Sequence, residues 1–169
     1  MRAGRCSAAR GTVPTLCHPP VGVVAVVCGR PGEGGIVRVL LVSESPAERS
    51  RASSALALLD TFVDGIADAV VVVEEAAAAA VQARIDLDGF DVLVIDGDLR
   101  PKGGFSLLYE LRAMADLDKR AQLPAIVLVE RAGDDWLGEW AGADVVLRKP
   151  VDPFELGRAV AALAATAPA

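Results

Sequence analysis

The chain of 169 residues has room for one domain with a sizeable core, and 53% of it is apolar while only 4% is aromatic. Its formal charge of −6 combines a basic start with an acidic body: residues 1–35 carry four Arg against Glu33 alone, and the remainder carries 13 Lys and Arg against 22 Asp and Glu. An acidic body disfavours non-specific nucleic-acid binding, and no apolar run nears the ~20 residues of a membrane span, so the chain is expected to be cytoplasmic, with neither nucleic acid nor membrane as partner.

Residues 1–35 mix Arg, Gly, Pro and Cys without period. All three cysteines, Cys6, Cys17 and Cys28, lie there, and Cys17 adjoins His18, the only histidine. Their wide spacing does not suit a metal site, and a body without cysteine fits a reducing compartment. The one apolar run, "VGVVAVVC" at 21–28, follows Pro19-Pro20 and lacks a small-x-small cleavage site, which weighs against a signal peptide. Three readings stand for this extension: a flexible tail, a strand on the domain edge, or an upstream region translated from a wrongly assigned start. The last is favoured, with "GEGG" before a GTG start at Val37. The domain proper is expected over 36–169.

From Val37 strands and helices alternate. "VRVLLVS" (37–43) is a short apolar, β-branched run and reads as a buried strand. Ser45, Pro46 and Glu48 then form a capping box that opens a helix. "AVVVVEE" (69–75) is the second predicted strand, and "AAAAAVQARIDL" is a helix by propensity. "FDVLVID" (90–96) is the third strand and "GFSLLYELRAMADL" the third helix. "PAIVLVE" (124–130), "DDWLGEWAG" and "DVVLRK" (144–149) supply strand, helix and strand. "DPFELGRAVAALAAT" closes with a second box, Asp152, Pro153 and Glu155. Five such units predict an α/β fold: a doubly wound, five-stranded parallel sheet of flavodoxin-like order 2-1-3-4-5, with right-handed crossovers.

In that order the first and third strands are neighbours, and ligands gather at their carboxyl ends. The first strand ends in Ser43-Glu44, the third in Asp96 with Asp98 just beyond, the fifth in Lys149-Pro150. Two acids and a carbonyl there suit a hard divalent cation such as Mg2+, and a lysine across the site would neutralise a phosphoryl group.

With these residues in these places, residues 37–165 resemble the receiver domain of response regulators, the CheY-like family, itself a known example of this strand order. The resemblance implies that Asp96 is the phosphoacceptor and Lys149 the phosphoryl-neutralising lysine. It implies that Glu44, Asp96 and the backbone carbonyl of Asp98 hold Mg2+ weakly, and that Gly104 closes the loop after the acceptor. "GAD" at 142–144 and "KP" at 149–150 are typical of the family, and the Lys149–Pro150 bond is expected to be cis. Stretches such as Asp134–Trp140 and Asp152–Arg158 are similar to those of small stand-alone receivers of high-GC actinobacteria. A histidine kinase and a protein effector are the partners so implied, for a monomer or weak homodimer. The implied function is that of a phosphorelay component with no enzyme activity beyond self-phosphorylation from a phosphodonor.

Several positions depart from the family. Ser43 stands where the first residue of an acidic pair is expected, and Arg100 where the loop has a proline, which is displaced to Pro101. The hydroxyl at the end of the fourth strand is replaced by Val129, with Glu130 after it, and the aromatic of the fifth strand by Val146. These changes keep open the alternative of a pseudo-receiver whose contacts ignore phosphorylation. "VIDGDL" also resembles the Asp-x-Asp motif of haloacid-dehalogenase-like phosphatases, although their acidic pair follows the lysine and Asp134-Asp135 precedes it. A flavin module is disfavoured because no phosphate loop follows the first strand. Trp136 and Trp140, four apart, share one helix face. The ordinary expectation is packing on the sheet; the sharper one is a partner face.

Overall fold

The computed structural model describes residues 23–28, 35–57 and 67–166. Six strands form one sheet: β1 (Val23–Cys28), β2 (Gly35–Val42), β3 (Ala67–Glu75), β4 (Val92–Asp96), β5 (Ala125–Val129) and β6 (Val145–Arg148), in the order β1-β3-β2-β4-β5-β6. From β3 to β6 every pairing is parallel, which is the expected five-stranded order. β1 adds an antiparallel edge strand, with Val26 opposite Val71 and Cys28 opposite Ala69. It falls within the stretch read as an extension. Helices α1 (Pro46–Leu56), α2 (Val81–Asp88), α3 (Gly104–Leu117), α4 (Asp135–Ala141) and α5 (Pro153–Ala164) complete the alternation. None of the described helices is long and apolar enough to cross a membrane.

The period of two along each strand divides the core in two. Val39, Leu41, Val92, Val94, Ile126 and Leu128 face α1 and α5, packing on Leu56, Leu156 and Val160. Their neighbours Leu40, Val42, Leu93, Ile95, Val127 and Val129 face the other way, onto Val81, Leu107, Leu108 and Ala141 of α2, α3 and α4. Burial on both faces is why β4 and β5 read as unbroken apolar runs.

Caps set where the helices start. Ser45 accepts from the Glu48 N–H, and Asp152 accepts from the N–H groups of Phe154 and Glu155, each with Pro at the first helical position. The return half of the first box is replaced: the Ser45 N–H donates to Ser43 Oγ at 3.2 Å, and Glu48 pairs with Arg51. The predicted second helix is tighter at its start, where Ala78–Ala80 form a single 3-10 turn before α2. Asp144 of the "GAD" stretch ties two elements together, accepting from the Ala125 N–H at the head of β5 and from Arg112 of α3, both at 2.8 Å.

Candidate functional site

Register brings the strand ends together. Val42 lies opposite Ile95 and Asp96 opposite Leu128, and the Lys149 N–H donates to the Val129 carbonyl. Ser43, Asp96, Val129 and Lys149 therefore meet at one edge of the sheet. The chain leaves Asp96 by a turn whose Gly97 N–H donates to Leu128 O, and returns at Gly104, whose N–H donates to Gly97 O at 2.9 Å. A β-carbon on Gly104 would collide with the Asp96 carbonyl, so the loop closes only on glycine. The Lys149–Pro150 bond is cis, as expected, and Arg100–Pro101 is cis as well.

Asp96 is only 5% exposed, yet both of its oxygens are hydrogen-bonded. The Ser43 hydroxyl donates to Oδ2 at 2.7 Å. Lys149 Nζ donates to Oδ1 at 2.5 Å, and the Asp98 N–H reaches the same oxygen at 3.0 Å. A buried carboxylate is tolerated on these terms, as a charge that is paired and hydrogen-bonded. Lys149 has a second partner, Asp98 Oδ2, at 2.8 Å. Burial works against its charged form, but the hydrogen bonds to Asp96 and Asp98 and the charge of both carboxylates outweigh this and raise its pKa.

Glu44 is exposed and lines the same cleft, where its Oε1 accepts from the Arg100 N–H at 3.2 Å. The cleft has a volume of about 570 Å3 and is lined by five carboxylates, those of Glu44, Glu48, Asp96, Asp98 and Glu130. Three cations, Arg51, Arg100 and Lys149, leave it a net charge of −2. Behind it, Arg49 donates to the Ser43 carbonyl and pairs with Glu74 at 3.1 Å, and Ser53 donates to the other Glu74 oxygen at 2.6 Å. This bracket fixes the backbone on which Ser43 and Glu44 sit.

Val129 is buried, and Val146 lies beneath α4, where the Gly138 backbone approaches so closely that a β-carbon there would collide with Val146 Cγ2. The tryptophans do not pack on the sheet. Trp136 and Trp140 are 62% and 58% exposed, and Trp140 stacks on Tyr109 of α3 with ring centroids 4.9 Å apart and planes 6° from parallel. A four-residue spacing puts two rings on one face but does not say which way that face turns; here the small residues Gly138 and Ala141 take the inward side.

Sequence reasoning brought Ser43, Glu44, Asp96 and Lys149 to one site, and the structure gathers all four. It missed the Asp98 carboxylate as a partner of Lys149, having used only that residue's carbonyl, and it missed Arg49 and Glu74. The spacing of two between Asp96 and Asp98 was the available signal for the first. The Arg49 bracket joins residues 25 apart and left no local signal.

No family model matches the chain. Two curated relatives do, the uncharacterized response regulatory proteins Rv3143 and MT3230 of Mycobacterium tuberculosis strains. Each is 33% identical over 134 residues, which is 79% of this chain and 95% of the relative. Among solved structures, the receiver domain of the response regulator TorR of the TMAO respiratory system superposes with a TM-score of 0.62 at 21% identity, over 78% of this chain and 99% of its own. The chemotaxis response regulator CheY4 of Vibrio cholerae gives 0.59 at 22%, over 76% and 98%. The receiver domain of Saccharomyces cerevisiae Ssk1, solved with the histidine phosphotransfer protein Ypd1, is similar at 0.65 and 14% identity, over 78% and 91%. Relatives matched over nearly their whole length, and a five-stranded parallel sheet shared with solved receivers, lead to one conclusion: the chain belongs to the response regulator family, with the fold of a CheY-like receiver domain.

Proposed function

We propose that the protein accepts a phosphoryl group on Asp96 from a histidine kinase or phosphotransfer protein and signals by protein contact. The observation that carries this reading is the buried Asp96, held by Ser43 on one oxygen and by Lys149 on the other at the mouth of an open cleft. In the reaction an Asp96 oxygen attacks phosphorus in line. The oxygen–phosphorus bond forms as the bond from phosphorus to the donor breaks, and the electron pair leaves with the donor. Lys149, positioned by Asp98, moves from Oδ1 to the arriving phosphoryl oxygens. Ser43 keeps the second oxygen oriented.

The donor set fits Mg2+: the carboxylates of Asp96 and Glu44 and the backbone carbonyl of Asp98 are hard oxygen ligands in a cleft of net negative charge. Among the described residues no three acidic, His or Cys side chains gather round one point, so a backbone carbonyl and waters must complete the shell, and the affinity is low. When bound, the ion would neutralise and orient phosphoryl oxygens. Ser43 contributes a neutral hydroxyl where a further acid would strengthen that site.

Output is assigned to the α3–α4 face that carries Trp136, Trp140 and Tyr109. A second reading, contact that ignores phosphorylation, is favoured by Val129, which has no hydroxyl to donate, and by Val146, which has no ring to move. Acetyl phosphate with Mg2+, followed by intact mass, tests the main reading. The wild type gains one phosphoryl group and Asp96→Asn gains none; an unmodified wild type, or a modified Asp96→Asn, rejects Asp96 as the acceptor.

A further inference from the structure

An incoming phosphodonor is an anion, and the cleft it must enter is already negative. Five carboxylates line it, and on the β5 side the side chain of Val129 has no hydrogen-bond donor while Glu130 adds charge. Two of its three cations are occupied. Lys149 sits between Asp96 and Asp98, and Arg51 is paired with Glu48 at 2.6 Å. Arg100 differs from both. Its backbone N–H is anchored on Glu44, and its side chain has no hydrogen bond or ion pair among the described residues. It also borders the neighbouring cavity of about 210 Å3 next to Pro101, Leu107 and Glu110, so there is room for the side chain on either side of its anchor.

We infer that Arg100 is the phosphodonor-binding residue of this cleft, its guanidinium taking the phosphoryl oxygens that no hydroxyl at position 129 can reach. The inference rests on Asp96 as acceptor. A guanidinium presents a planar fork of N–H donors that matches two phosphoryl oxygens at once, and it stays charged throughout. With acetyl phosphate as donor, the Asp96 oxygen–phosphorus bond forms as the bond from phosphorus to the acetyl oxygen breaks. Acetate leaves with the electron pair, and Arg100 gains and loses no proton. An arginine where the loop would otherwise have proline thus supplies, from the opposite wall, the hydrogen-bond donors that β5 does not offer.

The test follows the rate of acetyl phosphate labelling with Mg2+ against donor concentration, read by intact mass, in the full chain. Arg100→Ala lowers the rate at limiting donor by about tenfold or more, the scale of a hydrogen bond to a charged group. Arg100→Lys, which keeps the charge without the fork, falls between. Arg51→Ala, which removes a cation of the same cleft that already has a partner, stays within about twofold. A wild-type rate in Arg100→Ala overturns the inference, and so does an equal fall in Arg51→Ala, since that would be a general field effect. Labelling abolished in Asp96→Asn but unchanged in Arg100→Ala leaves the acceptor standing and removes only Arg100. If the wild type takes no label, the acceptor reading falls and orthophosphate titration by NMR decides Arg100 separately. Weaker affinity in Arg100→Ala with unchanged affinity in Asp96→Asn supports its role, and equal affinity in wild type and Arg100→Ala overturns it.

Discussion

The two sides of Asp96 differ. Toward β2 and β6, Ser43, Lys149 and the Asp98 loop engage every oxygen of the carboxylate, and Arg49 fixes the backbone behind it. Toward β5 and α4 lie Val129, without a hydroxyl, and Val146, pressed by the Gly138 backbone. The first side is built to hold a charge; the second is packed as a core. The groups that would perform phosphoryl transfer and those that would report it are therefore separable in one fold, and a chain can retain the first set while filling the space of the second with aliphatic groups. A ligand shifts an equilibrium only through interactions that differ between its two states, and on the side facing α4 the side chains of Val129 and Val146 have no polar group to make them.

The largest effect is expected on the charge-holding side. Gly104→Ala should destabilise the domain by about 3 kcal/mol in a denaturant titration, because its β-carbon meets fixed backbone. A loss below about 1 kcal/mol would show that the Asp96 loop is not clamped. Val129→Thr tests the other side. Its buried hydroxyl has no partner and should cost about 2 kcal/mol, part of it recovered when Asp96 is phosphorylated. No recovery would mean that the phosphoryl group does not reach β5.

Partner affinity separates the two sides directly. Asp96→Asn should change it by less than about threefold, whereas replacing Trp136 and Trp140 by Ala should weaken it at least about tenfold, or 1.4 kcal/mol. A tenfold loss from Asp96→Asn alone would mean that the cleft governs output after all.

A smaller effect follows from Lys149. Its folded pKa lies above the ordinary lysine value of about 10.4, so its contribution to stability is fully present below that pH and is lost as pH rises through the folded value. Stability of the wild type should fall in that alkaline range, and the fall should be reduced in Lys149→Gln; parallel curves would remove the lysine as its cause. The smallest effect concerns the start of the chain. Beginning at Val37 should move the melting point by less than about 2 °C, well under 1 kcal/mol for a domain of this size, since β2 to β6 form the five-stranded sheet without β1. A larger fall would make β1 an integral part of the sheet.

Alternation and the acids at the strand ends were legible because each is a local pattern: apolar runs of about five to seven residues that stop at a charged or polar group. The cleft could be assembled from them once the order of strands was known. What escaped depends on contacts between distant segments. The apolar run at 21–28 was visible, but its antiparallel partner in β3 was not. Ser43 could be read as a missing acid, yet the hydrogen bond that makes it a partner of Asp96 appears only when β2 and β4 lie in register. The outward turn of the Trp face depended on how closely Gly138 lets α4 approach Val146, a matter of backbone distance that spacing does not encode.

Trp136 and Trp140 are the only tryptophans of the chain, and both lie on α4. Excited at its red edge, the protein emits from this one helix. The stacked Tyr109 ring makes the Trp140 signal depend on the separation of α3 and α4. A partner that covers the face should shift the emission to the blue, and a displacement of α4 alone should change its intensity without that shift. The unmodified protein thus carries its own optical gauge, placed on the face assigned to output and away from the Asp96 cleft.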